Sequence, residues 1–287
     1  MSAVYKRELR SYFTGFTGYV FMAFILFFTG MFAMIINFRS RVPYFEYVLS
    51  YMNLVYIIAV PILSMRVIAE DRRQKTDQLL YSLPISMTKV ALGKYFAMIT
   101  VLLAPVVIMC IYPVFLSIYG SVSLLRSYGA IFAWYLLGCS LLAVGMFMSS
   151  LTENQIVAAV MTFAVTLLCY FLTSLASFVP ATAAGSFVGF TVLIIAFGFV
   201  VWGLTKSRLA GLAAAALLEV ILAVVNFING DLLAGKFQHL LAVVSPFARF
   251  ANFVNGVFDL TAVVYYLTVI ALFVFFTVES MEKRRWS

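Results

Sequence analysis

Few side chains in this 287-residue chain are equipped for covalent chemistry, and those few stand apart from one another. Cys110, Cys139 and Cys169 each lie inside a different apolar run, with no Cys-x-x-Cys and no Cys/His cluster. A zinc site or a disulfide framework needs such grouping, so all three read as small apolar packing residues. His239, the single histidine, sits between short apolar runs and is expected to have no ligand role. Glu219 is the only acid near the middle of a long apolar run. An ionised carboxylate at that depth costs about 2.5–3.5 kcal/mol, so it should face a neighbour or a wet cavity, or keep its proton. It is then a proton or substrate-cation site, a protonated acid hydrogen-bonded within the bundle, or an acid on a helix set shallower in the membrane. No second ionisable group accompanies it. Nothing resembles a Ser/His, Asp/Asp or His/Glu cluster at membrane depth, which excludes an intramembrane enzyme and predicts no catalytic, metal or cofactor-binding residue.

Charge is concentrated elsewhere. The stretch 66–94 holds nine of the thirty Asp, Glu, Lys and Arg residues: Arg66, Glu70, Asp71, Arg72, Arg73, Lys75, Asp77, Lys89 and Lys94. The pattern predicts a helix over 67–82, with Asp71–Lys75 an i,i+4 pair in the favourable order and Arg73–Asp77 the reverse. Leu79, Leu80 and Leu83 add an apolar tip, Pro84 turns the chain, and Ser86 can cap the next helix. One reading is a docking element for a soluble partner; the other is a plain loop whose cations only orient the protein. Orientation alone does not call for mixed charges beside three clustered leucines.

The elements that must position this island are apolar. With 64% hydrophobic and 10% charged residues, the chain is no soluble domain, where about a quarter of residues are charged. Runs near the roughly 20 residues needed to cross a bilayer occur at 16–36, 48–65, 95–119, 128–149, 155–178, 187–203, 209–228 and 261–278. The expected fold is an all-α polytopic membrane protein, a single transmembrane domain of six to eight spans, with eight preferred. The first run is too long for a cleaved signal and reads as a permanent span. Residues 1–15 should form an amphipathic helix in the interface, with Val4, Tyr5, Leu9, Tyr12 and Phe13 on one side and Lys6, Arg7 and Arg10 on the other. The pair within 185–228 is the least regular. Residues 229–259, broken by Gly230, Gly235, Pro246 and Gly256, should be interfacial or re-entrant on the outer side. With both termini inside, inner segments hold 14 Lys and Arg against 5 outside, which places the termini and the island in the cytoplasm. The net charge of +8 sits at helix ends, so membrane lipid rather than nucleic acid is its expected partner.

No G-x-x-x-x-G-K-[ST] occurs, so the chain should not bind ATP itself. The segment from Met65 to Ser86, followed by Val90-Ala-Leu-Gly-Lys-Tyr, resembles the first cytoplasmic loop of type-2 ABC transporter permeases. The nearest branch includes the gliding-motility and nitrous-oxide-reductase-maturation permeases. Lys6-Arg-Glu-Leu-Arg-Ser-Tyr-Phe, Ser149-Ser-Leu-Thr-Glu-Asn-Gln and Glu282-Lys-Arg-Arg-Trp agree in order and spacing, so the likeness covers about 1–178 and 245–287. It implies an elbow helix at 1–15 and a coupling helix made by Glu70, Asp71, Arg72, Arg73, Lys75, Asp77, Leu79, Leu80 and Tyr81. It also implies a second contact at Thr152, Glu153 and Asn154. The implied partners are a cytoplasmic ABC ATPase holding ATP and Mg, and a second permease copy or related permease. The implied role is export across the bacterial cytoplasmic membrane. The stretch 185–228 has no counterpart in that family, which usually has six spans. The alternative is an ion-gradient-driven secondary transporter, which would want paired intramembrane charges and inverted repeats.

Overall fold

The computed structural model describes residues 1–76, 86–205, 207–228 and 233–285, and among them every regular element is helical. In chain order these are α1 (Ser2–Thr14), α2 (Thr17–Ala33), a π-helical extension Met34–Arg39, α3 (Phe45–Ser64), α4 (Ala69–Arg73), α5 (Met87–Met109) and α6 (Ile111–Tyr119). There follow α7 (Leu124–Ser150), α8 (Gln155–Phe178), α9 (Ala183–Thr205), α10 (Arg208–Ile228), α11 (Lys236–Val244), α12 (Pro246–Val254) and α13 (Leu260–Arg285). Seven helical stretches among the described residues are long and apolar enough to cross a membrane, so this is a multi-pass helical membrane protein. The candidate at 187–203 lies in α9, whose described apolar stretch Ala183–Phe199 falls just short of that length.

The chain divides into two compact units, Met1–Tyr170 with Arg249–Ser287, and Phe171–Ala248.

In the larger unit, α3 and α7 form the core. Tyr56 stacks on Trp134 with ring centroids 4.2 Å apart, and its hydroxyl donates to the Trp134 carbonyl at 2.9 Å. Gly138 makes this approach possible: a Cβ there would stand 2.8 Å from the Tyr56 Cζ and 2.7 Å from Leu102. Gly145, two turns on, faces Ser64 in the same way. Around this core, α2 buries only the stripe Gly18, Phe21, Ile25, Thr29 and Ala33, at three- and four-residue spacing, and leaves Val20 and Phe27 exposed. That is a helix with one face in protein and the rest suited to lipid.

The third candidate span is two helices. Pro113 lacks an N–H, and its ring crowds the carbonyl four residues back at Met109, so the ladder breaks at Cys110 between α5 and α6. Before the last long helix, Pro246 opens α12 and Asp259 caps α13 by accepting from the amides of Thr261 and Ala262 at 2.9 and 3.3 Å.

Candidate functional site

The island's first half lies at one end of the larger unit and is built around a buried lysine. Lys94 is 2% exposed. Its Nζ lies 2.6 Å from Asp71 Oδ2, 2.7 Å from the Val67 carbonyl and 3.0 Å from Glu8 Oε1. The ammonium donates hydrogen bonds to the Glu8 and Val67 oxygens, and Asp71 Oδ2 adds an ion pair without a hydrogen bond of its own. Arg7 closes the network, 2.7 Å from Glu8 and 3.7 Å from Asp71. Two cations and two anions are brought together from α1, α4 and α5.

Helix α1 is what brings Glu8 there. Val4 packs on Gly93, whose missing side chain admits it, and the Tyr12 hydroxyl donates to the Leu63 carbonyl at 3.2 Å. The Tyr5 hydroxyl lies 3.2 Å from Thr100 Oγ1. The predicted apolar side of α1 is therefore docked on α5 and the end of α3, and Lys6, Arg7 and Arg10 are exposed. A second brace holds the turn into α4. Ser149 Oγ accepts from the amides of Ile68 and Ala69 at 3.3 and 3.1 Å and donates to the Met65 carbonyl at 3.1 Å.

The expected coupling helix is corrected by this packing. It does not run unbroken from Glu70: α4 ends at Arg73, and Lys75 takes a left-handed conformation with φ +57°. The cause is the demand on the acids. Asp71 is drawn inward to Lys94 rather than pairing with Lys75, and Thr76 Oγ1 folds back to Asp71 Oδ1 at 3.1 Å. Glu70 takes both ends of the Arg66 guanidinium, at 2.8 and 3.1 Å, while Arg66 also donates to Thr17 Oγ1 at 2.7 Å. Arg72 is buried, whereas Arg73 and Lys75 are exposed. Asp77, Leu79, Leu80 and Tyr81, with Leu83 and Pro84, lie outside the described residues.

The second predicted contact reaches the same end. Asn154 Oδ1 accepts from the Ile156 amide at 2.9 Å and caps α8, and the Asn154 amide donates to Thr152 Oγ1 at 3.2 Å. That turn presents Glu153 outward, where it pairs with Arg284 near the end of α13, and Ser280 Oγ donates to the Ser150 carbonyl at 3.1 Å. The Arg284 guanidinium holds the Glu153 carboxyl below its usual range, and the charges of Arg72 and Lys75 add to the effect. The loop after α7, the α4 segment, α1 and the end of α13 thus share one face of this unit.

Glu219 lies in the smaller unit, where Thr191 Oγ1 donates to its Oε1 at 2.8 Å and its buried Oε2 has no hydrogen-bond partner among the described residues. Glu219 forms no salt bridge among the described residues. His239 is exposed, and no group of three metal-ligating side chains occurs among the described residues. No protein-family model, curated protein or solved structure matches the chain.

Sequence reasoning missed the roles of Glu8, Lys94 and Ser149, and a buried acid at the opposite end, Glu46. Lys94 carried a legible signal. It falls on the buried stripe Val90, Ala91, Met98, Val101 and Leu102 of α5, four residues from Val90 and from Met98. A lysine in step with an apolar stripe must be buried and must therefore find counter-charges.

Proposed function

We propose that the chain is the membrane-spanning permease subunit of an ABC transporter, an exporter of the bacterial cytoplasmic membrane. It carries no catalytic residue and works with a separate subunit that holds ATP and Mg. One observation carries the reading: two loops far apart in sequence, the α4 segment and Thr152–Asn154, meet on one face of the larger unit. Each is braced to the spans, by Lys94 and Ser149 in one case and by α13 in the other. A partner pushing on that face would move α3, α5 and α7 together instead of bending a free loop. Two copies of this chain, or this chain with a related permease, would enclose the substrate path.

The reading is tested by gentle detergent purification from the native membrane and by transport in vesicles. A nucleotide-hydrolysing subunit should accompany the chain and be lost from the double variant Arg73→Glu/Lys75→Glu, which reverses the two exposed cations of the segment. Transport should require ATP inside the compartment that faces α4. A chain that purifies alone and transports on an ion gradient without ATP would instead be the secondary transporter, with Glu219 as its first candidate ion site.

A further inference from the structure

The smaller unit holds a groove that the transport reading does not use. Helices α9 and α10 approach each other at Gly198 and Gly211, where a Cβ on Gly211 would stand 2.6 Å from the Gly198 carbonyl oxygen. Beside this contact Ile195, Phe199 and Leu212 wall an apolar pocket of about 250 Å³. Its rim carries Trp202 and Arg208, with the guanidinium carbon 5.5 Å from the indole centroid. Arg208 is exposed and has no carboxylate partner among the described residues.

We propose that this groove binds an anionic phospholipid, with one acyl chain between α9 and α10 and the phosphate at Arg208. Three features select that occupant. The pocket is smaller than the roughly 300–1,000 Å³ that takes in a whole small molecule, so it accepts a chain segment and leaves a headgroup outside. Its walls are apolar and its rim cationic, which matches an amphiphile with a negative head. An arginine stacked on tryptophan beside a span is at the depth of headgroups, where aromatic and basic anchors gather. In the eight-span arrangement the α9–α10 turn lies on the cytoplasmic side, where anionic lipid is available to a juxtamembrane cation.

The full-length protein is reconstituted in phosphatidylcholine vesicles containing a graded fraction of phosphatidylglycerol, with brominated acyl chains on one lipid or the other. Quenching at Trp202 is taken as the difference between the wild type and Trp202→Phe. Brominated phosphatidylglycerol should quench at a several-fold lower mole fraction than brominated phosphatidylcholine. Arg208→Gln should cut that preference about 5-fold, equivalent to the ~1 kcal/mol of one cation at a charged membrane surface. Arg208→Lys should retain most of it. Equal quenching by the two lipids in the wild type, or an unchanged preference in Arg208→Gln, overturns the proposal. So does the absence of quenching by either lipid, which would mean that protein, such as a second copy of the chain, fills the groove. Inorganic phosphate at millimolar concentration should leave the quenching unchanged; if it abolishes the preference, the site binds free phosphate instead.

Discussion

The two ends of the larger unit bury charge in different ways. At the α4 end, Lys94 is enclosed by Asp71, Glu8 and the Val67 carbonyl, all within 3.0 Å. At the opposite end Glu46, fully buried at the start of α3, lies 3.5 Å from Arg126 Nε and accepts from Ser127 Oγ at 3.2 Å. Its second oxygen has no hydrogen-bond partner among the described residues. Arg126 is shared out further, donating to the Val254 carbonyl at 2.5 Å and lying 5.5 Å from the Tyr44 ring centroid. Gly256, at φ +83°, supplies the left-handed turn beneath it, where a Cβ would press on the guanidinium. Asp71 Oδ2 likewise makes no hydrogen bond, but the Lys94 end gathers four charges from three segments into a joint. The other end is a single pair that clamps that turn to the bundle. A joint resists relative motion of its parts, whereas a single pair with fewer contacts can change partners.

Removing the lysine should break the comparison most severely. Lys94→Met leaves two carboxylates facing each other in a largely buried site, and losing one partner of a buried ionic group costs about 3–5 kcal/mol. A thermal shift in detergent should show a large loss. Adding Glu8→Gln and Asp71→Asn should recover much of it, because the residual charge is then gone. If Lys94→Met alone melts like the wild type, the network is not what holds α1 and α4 to α5.

Glu46→Gln should cost less, about 1–2 kcal/mol, the scale of a charge-assisted hydrogen bond lost when the partner keeps other contacts. Arg126 is partly exposed and retains Val254 and Tyr44. Hydrogen exchange should rise at 253–258 while α1 and α4 stay protected. A loss equal to that of Lys94→Met would erase the distinction between the two ends.

Residue spacing made the bundle legible because the spans are apolar and long, and the buried stripe of α2 follows helical period. The short helices α11 and α12 were also readable, since Gly235, Pro246 and Gly256 mark their ends. The break after Arg73 was not. Local pairing favours continuing the helix through Asp71–Lys75, but that preference is worth only about 0.2–0.5 kcal/mol. A buried ammonium that needs Asp71 outweighs it by several-fold. The lysine lies 23 positions further on and Glu8 lies 63 positions earlier, so no local window contains all three. Glu70, expected on the docking face, instead spends its charge on Arg66 one turn earlier, which also donates to Thr17. The cations left exposed there, Arg73 and Lys75, are the part of the island still available to a partner.

The smallest expected effect isolates the other element on that face, the Glu153–Arg284 pair. Arg284 and, more weakly, Arg72 and Lys75 lower the Glu153 pKa in the folded state below its ordinary value of 4.5. A group with a depressed folded pKa contributes its stability above the unfolded value and loses it as pH falls through the folded one. The link between the loop after α7 and the end of α13 should therefore be complete at pH 7 and fail only below about pH 4.5. Hydrogen exchange over 279–285 at pH 7 should be faster in Glu153→Gln than in the wild type, and the difference should shrink as the pH drops below that value. Because the pair is solvent-exposed, added salt should weaken it, whereas the enclosed Lys94 network should be nearly indifferent to salt. Equal salt sensitivity at both places would mean that the buried network is as open to water as the surface pair, and the joint would lose its physical basis.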